Sequence, residues 1–143
     1  MKHLNLFIAI AVLCVSCSVL CNKKPNLRKT TWICQVEEFV ADAGTMTITS
    51  KLKFVSAKEY VYETTMYMPA YPNMYMNPDG TVDVHPESTS TWTKNGTYTV
   101  KGNIVHLTSD EGEKYTLEYL LGKLETGDLS YRHLSFTKAK HNQ

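Results

Sequence analysis

Hydrophobic and polar residues alternate along most of this chain with a period of two. The alternation recurs from Thr30 to Phe136, and no window keeps the period of a helix. A period of two turns one side of a strand toward a core and the other toward water. In the clearest strand, threonine and lysine alternate with four apolar residues, Met46, Ile48, Leu52 and Phe54. The pattern therefore predicts an all-β chain.

Turn residues divide this pattern into separate strands. The predicted strands include Thr30–Val40, Lys58–Met68, Thr81–His85, Ser88–Thr93, Thr97–Lys101 and Ile104–Thr108, and a last strand that carries Arg132, Leu134 and Phe136. Gly102-Asn103 is predicted to be a tight hairpin turn, and another turn is predicted between Gly122 and Asp128. Pro69–Pro78 is predicted to be a loop, because its three prolines cannot serve a central ladder.

The segment Lys94-Asn95-Gly96 permits two different turns. A two-residue turn would set Trp92 opposite Thr99, whereas a three-residue loop with Gly96 left-handed would set Trp92 opposite Tyr98. The second is favoured because it places both aromatic residues on the same face as Val100, and a slip of one residue would undo that arrangement. In the next hairpin Val100 is expected to pair with Val105.

Eight or nine strands that follow one another through short turns have two usual solutions. They either close into a meandering antiparallel barrel or pack as a β-sandwich. We predict the barrel, because closure removes the exposed strand edges and no Greek-key crossover is evident. The sandwich is the alternative.

The first residues of the sequence predict an export signal. Lys2 and His3 precede an apolar stretch from Leu4 to Val15 that is too short to span a bilayer comfortably, since a span takes about 20 apolar residues. The segment Leu13-Cys14-Val15-Ser16-Cys17 resembles the lipobox of bacterial lipoproteins. That resemblance implies that Cys17 is diacylated and becomes the new N-terminus. Simple secretory cleavage and a retained signal anchor are the alternatives.

These features divide the chain into a lipoprotein signal peptide over residues 1–16, a tether over 17–26, a barrel domain over 27–138 and a tail over 139–143. Removing the signal leaves 127 residues of the 143, which is enough for one domain. Lys2 is the only charged residue lost with the signal, so the mature chain contains 14 lysines and arginines and 14 acidic residues. This balance argues against a nucleic-acid partner and against a polybasic membrane binder, so the lipid is expected to do the anchoring alone.

Localisation follows from the same signal. In lipoproteins of this kind an acidic run after the acylated cysteine is associated with surface display, and Ser18–Lys24 contains no acid. We therefore expect a lipid-anchored protein of the outer membrane that faces the periplasm. Secretion or surface display is the alternative.

Two cysteines remain once Cys14 is discarded and Cys17 is acylated. Cys21 and Cys34 could form a disulfide in an exported protein. Strand parity instead points Cys34 into the core, where a small buried thiol is common. Both readings stay open.

The mature chain resembles the lipocalin-like lipoproteins of Bacteroidetes-type bacteria over about residues 27–138. The resemblance rests on Trp32 in an early strand, the hairpin Asn95–Asn103, Tyr115-Thr116-Leu117 and Phe136 in a terminal strand. In lipocalins proper, an arginine of the last strand packs across the first-strand tryptophan and closes the floor of the barrel. The resemblance implies that Arg132 and Trp32 form this barrel-closing pair, with Thr30 in the place of the family's glycine. The alternative is a core tryptophan and an exposed arginine.

Residues with catalytic chemistry form no recognisable group. The five histidines are scattered among strands and tails, and adjacent acids such as Glu37-Glu38 point to opposite faces of a strand. We therefore predict no catalytic residues, no metal site and no cofactor, and we expect a protein that is not an enzyme. An enzyme of unrecognised type is a third hypothesis.

The most unusual stretch of the chain runs from Tyr60 to Met76 and is rich in tyrosine and methionine. Such surfaces adapt to ligands and partners. The candidate rim residues are Tyr60, Tyr62, Met66, Tyr71, Met74 and Tyr75. They are expected to contact a small apolar or sugar-like ligand at the mouth of the barrel. The alternative function is that of a protein-interaction or inhibitor protein that uses this tyrosine- and methionine-rich loop. A purely structural explanation is that the loop folds back and covers one end of the barrel.

Overall fold

The computed structural model describes residues 24–41, 43–126 and 133–140, and at Met74 the backbone alone. This part of the chain folds into ten strands. They are β1 (Thr30–Val40), β2 (Gly44–Phe54), β3 (Glu59–Met68), β4 (Tyr71–Met76), β5 (Val82–His85), β6 (Ser88–Lys101), β7 (Ile104–Ser109), β8 (Lys114–Leu120), β9 (Lys123–Thr126) and β10 (Ser135–Lys138). The prediction of an all-β chain is confirmed.

Eight of these strands close into an antiparallel barrel, in the order β1-β10-β9-β8-β7-β6-β3-β2. Apart from the closing pair β1 and β10, neighbours in the barrel are consecutive in the chain, except that the hairpin β4–β5 is inserted between β3 and β6. Trp32 pairs with Lys138 where β1 meets β10, and this contact closes the circle. The predicted meandering barrel is therefore confirmed, and the alternative of a sandwich is wrong.

The two ends of the barrel differ. One end, here called the closed end, holds the start of β1, the end of β10 and the hairpins β2–β3, β6–β7 and β8–β9. Leu27 is buried there, and its carbonyl oxygen accepts a hydrogen bond from the Thr30 amide nitrogen at 3.1 Å. The other end, the open end, carries the turns β1–β2 and β7–β8 and the hairpin β4–β5, here called the arm.

The core fills the half of the barrel next to the closed end. Its largest fully buried side chains are Phe54, Leu27, Leu52, Leu124 and Val105. The rings of Phe54 and Tyr98 meet edge to face with their centroids 4.7 Å apart, and the Tyr98 hydroxyl donates to the carbonyl of Ser56 at 2.9 Å. Aromatic pairs of this geometry contribute more to the stability of a core than the burial of their surface area alone would give.

The predicted turn at Asn95-Gly96 is wrong, because β6 runs through it without interruption. Gly96 is buried and pairs with Tyr60 on one side and Ser109 on the other. A Cβ atom there would lie 2.2 Å from the Thr108 carbonyl oxygen and 2.8 Å from the Tyr60 ring. Because it has no side chain, Gly96 allows β3, β6 and β7 to pack closely at this position.

Two further expectations about turns and loops are corrected. Residues 71–76 of the predicted loop Pro69–Pro78 form β4, in which Pro72 pairs with Val84 across a two-stranded sheet. Proline is tolerated there because a two-stranded sheet consists of edges. The predicted turn between Gly122 and Asp128 contains β9, so the chain reverses twice in this region: at Leu121-Gly122, and again after Thr126 before the antiparallel strand β10.

Candidate functional site

The candidate site is the inner wall of the barrel near the open end. Four long strands, β1, β2, β3 and β6, supply this wall, and their register aligns inward-facing residues in rows. One row runs through Cys34, Ser50, Thr64 and Trp92, and the next through Val36, Ile48, Met66 and Ser90. Hydroxyl groups thus lie among apolar side chains, a composition typical of pockets for small ligands.

Trp92 is the most exposed large side chain of this wall. Its partner Thr64 is buried, whereas Trp92 keeps 43 % of its surface accessible. The neighbouring strand β7 pairs with β6 only from Gly96 onward, so it does not cover Trp92. An indole that faces the inside of a barrel and remains open to solvent can stack on a ligand.

Trp92 was not predicted as a site residue, because the predicted hairpin at Asn95-Gly96 paired it with Tyr98. The signal was present in the sequence. Trp92 is the one aromatic residue within the polar run 88–97, Ser-Thr-Ser-Thr-Trp-Thr-Lys-Asn-Gly-Thr. A strand with so little other apolar material cannot build a core around the indole, so an exposed function was the better expectation.

Polar contacts organise the wall below Trp92. The Tyr62 hydroxyl donates to the Ser50 hydroxyl at 3.0 Å, which satisfies a polar pair inside the barrel. Lys94, opposite Tyr62, forms a hydrogen bond with Glu113 and lies 3.6 Å from Glu111, both after β7. These contacts connect β6 to the β7–β8 turn at the rim of the open end.

The pKa values in this cluster follow the contacts. The hydrogen bond to Glu113 raises the pKa of Lys94, and the same bond, joined by one from the Tyr115 hydroxyl, lowers the pKa of Glu113. The Tyr115 pKa is raised, chiefly because its hydroxyl donates to Glu113 at 2.6 Å. The cluster is therefore ionic at neutral pH, with Lys94 already paired to carboxylates of this chain.

The candidate rim residues fall in three different places. Tyr62 and Met66 are half-buried on the inner wall. Tyr60 is buried to 3 % exposure against Gly96, so its assignment to a rim is wrong. Its ring follows the parity of the strand into the closed half of the barrel, and burial raises the pKa of its hydroxyl.

The other predicted rim residues lie on the arm. Tyr71 stacks on His85 with centroids 4.6 Å apart, and Tyr75 is 80 % exposed. The side chain of Met74 lies outside the described part of the structure. One face of the arm carries apolar side chains that are all exposed, namely Pro72, Met76, Val82 and Val84. The arm therefore offers a surface that is separate from the inner wall.

Of the predicted barrel-closing pair, the structure describes one member. Trp32 is 3 % exposed, and its indole nitrogen donates to the Thr30 hydroxyl at 2.9 Å. The ring of Tyr119 meets the indole edge to face at 6.1 Å. Trp32 is thus a core residue at the closed end, whereas Arg132 lies outside the described residues, as does Cys17.

Cys34 is a buried free thiol, as strand parity suggests. Burial raises its pKa, and a hydrogen bond with the backbone of Ser135 opposes that effect. Its candidate disulfide partner Cys21 lies outside the described residues.

Comparison with known proteins found no matching family model, no similar curated protein and no similar solved structure. Within residues 24–41, 43–126 and 133–140, no group of three or more histidine, cysteine or acidic residues could hold a metal ion. These residues also contain no helical segment that could span a lipid bilayer.

Proposed function

We propose that this protein is a lipid-anchored, lipocalin-like binding protein that takes a small apolar or sugar-like ligand at its open end. The inward-facing but exposed Trp92 is the observation that carries the proposal. An eight-stranded barrel has an interior just wide enough to be filled by side chains or to hold one small ligand. Here side chains fill the closed half, which leaves the wall around Trp92 as the place for a ligand.

The chemistry of the wall supports the class of ligand. The Trp92 indole could stack on a ring or a sugar face, and Met66 could adapt to an apolar group. The hydroxyls of Ser90 and Thr64 could pair with polar groups, since hydroxyls both donate and accept. Lys94 is held by Glu113 and Glu111. The proposal therefore favours a ligand without a strong negative charge.

Capture of a ligand from a cell extract tests this proposal. We expect the purified protein, after incubation with a lipid and metabolite extract, to retain a compound that mass spectrometry identifies. Trp92→Ala should lose it, because aromatic anchors contribute a large share of binding energy. Equal retention by Trp92→Ala would contradict the proposal.

A second candidate function, binding of a protein partner, is favoured by the arm. Its apolar face is exposed, and within the part of the chain that the structure describes its two strands pair only with each other. The double variant Tyr75→Ser, Met76→Ser is the matched control for Trp92→Ala, because both side chains are more exposed than Trp92. If the arm variant loses a binding partner while Trp92→Ala keeps it, the second function replaces the first.

The anchor has a test of its own. We expect Cys17→Ala to release the protein from the membrane fraction, because Cys17 ends the export signal and would carry the acyl chains. Metabolic labelling with a fatty-acid analogue should label the unaltered protein and leave the variant unlabelled. An unlabelled, soluble wild-type protein would contradict lipid anchoring.

A further inference from the structure

The charges of this chain are balanced in number but separated in space. At the open end the turn β7–β8 carries Asp110, Glu111 and Glu113, and the arm adds Asp79 and Asp83. Most of the described basic residues lie at the opposite, closed end. A net charge near zero therefore hides a strong asymmetry between the two ends of the barrel.

Each hairpin of the closed end carries an exposed lysine. Lys58 lies between β2 and β3, Lys101 ends β6, and Lys123 starts β9. Acidic residues at this end include Glu59, at the start of β3, and Glu118, which accepts a hydrogen bond from the Asn103 side chain at 2.9 Å.

The terminal segments of the described chain add cations to the same end. Arg28 and Lys29 precede β1, while Lys138 and Lys140 lie at and beyond the end of β10, and all four are exposed. A ring of cations around one end of a barrel creates a positive potential that a flat anionic surface would complement.

Leu121 provides a second, independent observation at the closed end. It is 93 % exposed at the tip of the β8–β9 hairpin, and its φ is +49°. Gly122 follows with φ +83°, so both turn residues are left-handed, as in the hairpin turn that prefers Asn-Gly. Leucine in this conformation is strained, and the exposed side chain gains nothing from the fold. An apolar tip beside basic residues is suited to a membrane interface, because the apolar side chain can enter the lipid and the cations attract anionic headgroups.

We propose that the closed end of the barrel docks on an anionic phospholipid surface, with the cationic hairpins against the headgroups and Leu121 inserted between them. This contact goes beyond the proposed function, because it needs neither the acyl chain nor the ligand. It would hold the barrel upright on the membrane. At roughly 3.3 Å per residue along β3, Trp92, which pairs with Thr64, would lie about 16 Å from Glu59 at the closed end, and the arm beyond Met68 about 30 Å from it.

Vesicle binding by the full chain with Cys17→Ser, which cannot be acylated, tests this docking. Vesicles of equal parts phosphatidylglycerol and phosphatidylcholine are compared with vesicles of phosphatidylcholine alone. The apolar stretch Leu4–Val15 is common to all variants and both vesicles, so it cancels in the ratio of the two affinities. We expect the ratio to favour the anionic vesicles strongly and to fall as salt is raised.

Three substitutions at the closed end should remove this preference. A lysine near an anionic surface contributes about fivefold in affinity, so the triple variant Lys58→Gln, Lys101→Gln, Lys123→Gln should lower the ratio about 100-fold. The matched control adds Glu37→Gln, Asp110→Asn and Glu111→Gln, which restore the net charge through residues at the open end. This compensated variant should remain as weak as the triple variant. Wild-type binding by either one would overturn the proposal.

Leu121→Asn tests the inserted tip without risk to the fold. Asparagine suits the left-handed turn better than leucine, so the thermal midpoint should stay the same or rise. Affinity for the anionic vesicles should fall about tenfold, because the inserted leucine would lose its apolar contact. Unchanged affinity would refute insertion. Ligand capture by the triple lysine variant and by Leu121→Asn should be normal, which separates this test from the test of the proposed function.

Discussion

Replacing Trp32 by alanine is expected to lower the free energy of unfolding by about 3–5 kcal/mol, because it removes a large buried side chain and leaves a cavity. The indole is 3 % exposed, donates to Thr30 and meets Tyr119 edge to face. Urea unfolding measures the change. The matched control is the other tryptophan, since Trp92→Ala should cost only about 1 kcal/mol at a site that is already open to solvent. Equal losses for the two variants would contradict the contrast between a buried Trp32 and an exposed Trp92.

A double-mutant cycle extends this prediction to Arg132. The resemblance to lipocalins implies that its guanidinium packs across the indole, which would couple Arg132→Ala and Trp32→Ala by roughly 0.5–2 kcal/mol. Additive effects would mean that the floor of this barrel is closed by Leu27 and the surrounding core without the arginine.

Replacing Gly96 by alanine is expected to cost about 3 kcal/mol or more, although only one methyl group is added. The new Cβ would lie 2.2 Å from the Thr108 carbonyl oxygen and 2.8 Å from the Cα of Ser109. Backbone atoms cannot move aside as a flexible side chain can, so the cost should reach or exceed that of usual overpacking. Thr97→Ala, at the next and exposed position of the same strand, is the control and should change stability by less than about 1 kcal/mol. A Gly96→Ala variant as stable as the wild type would contradict the close packing of β3, β6 and β7 at this position.

The sequence was most informative where one face of a strand is buried. The predicted first strand has the bounds of β1, and Leu52 and Phe54 of the clearest alternating segment are both buried. The turn Gly102-Asn103 and the pair Val100–Val105 are also confirmed. In each case period and turn chemistry indicate the same register, so the local pattern is sufficient.

The errors arose where tertiary contacts overrule local preference. Asn-Gly is the strongest hairpin signal in a sequence, but Gly96 is required by the approach of Tyr60 and by the backbone of β7. The arm was predicted as a loop because of its prolines, yet Pro72 fits a two-stranded sheet in which no central ladder is broken. No local pattern reveals contacts of these kinds.

The candidate site was predictable in part. Tyr62 and Met66 were predicted as rim residues and lie half-buried on the inner wall, but the sequence pattern did not distinguish the filled half of the barrel from the open half. That distinction depends on which strands are long. Because β7 pairs with β6 only from Gly96 onward, Trp92 stays open to solvent, and this feature belongs to the assembled barrel.

Quenching of Trp92 fluorescence tests the central claim, an open inner wall that binds a ligand, most directly. Acrylamide should quench the indole of Trp92 readily and that of the buried Trp32 weakly, and Trp32→Phe or Trp92→Phe assigns each signal to its residue. Addition of the compound captured from the extract should protect Trp92 and leave Trp32 unchanged. If the compound binds and Trp92 remains fully quenchable, the ligand lies elsewhere and the account of the open end is wrong.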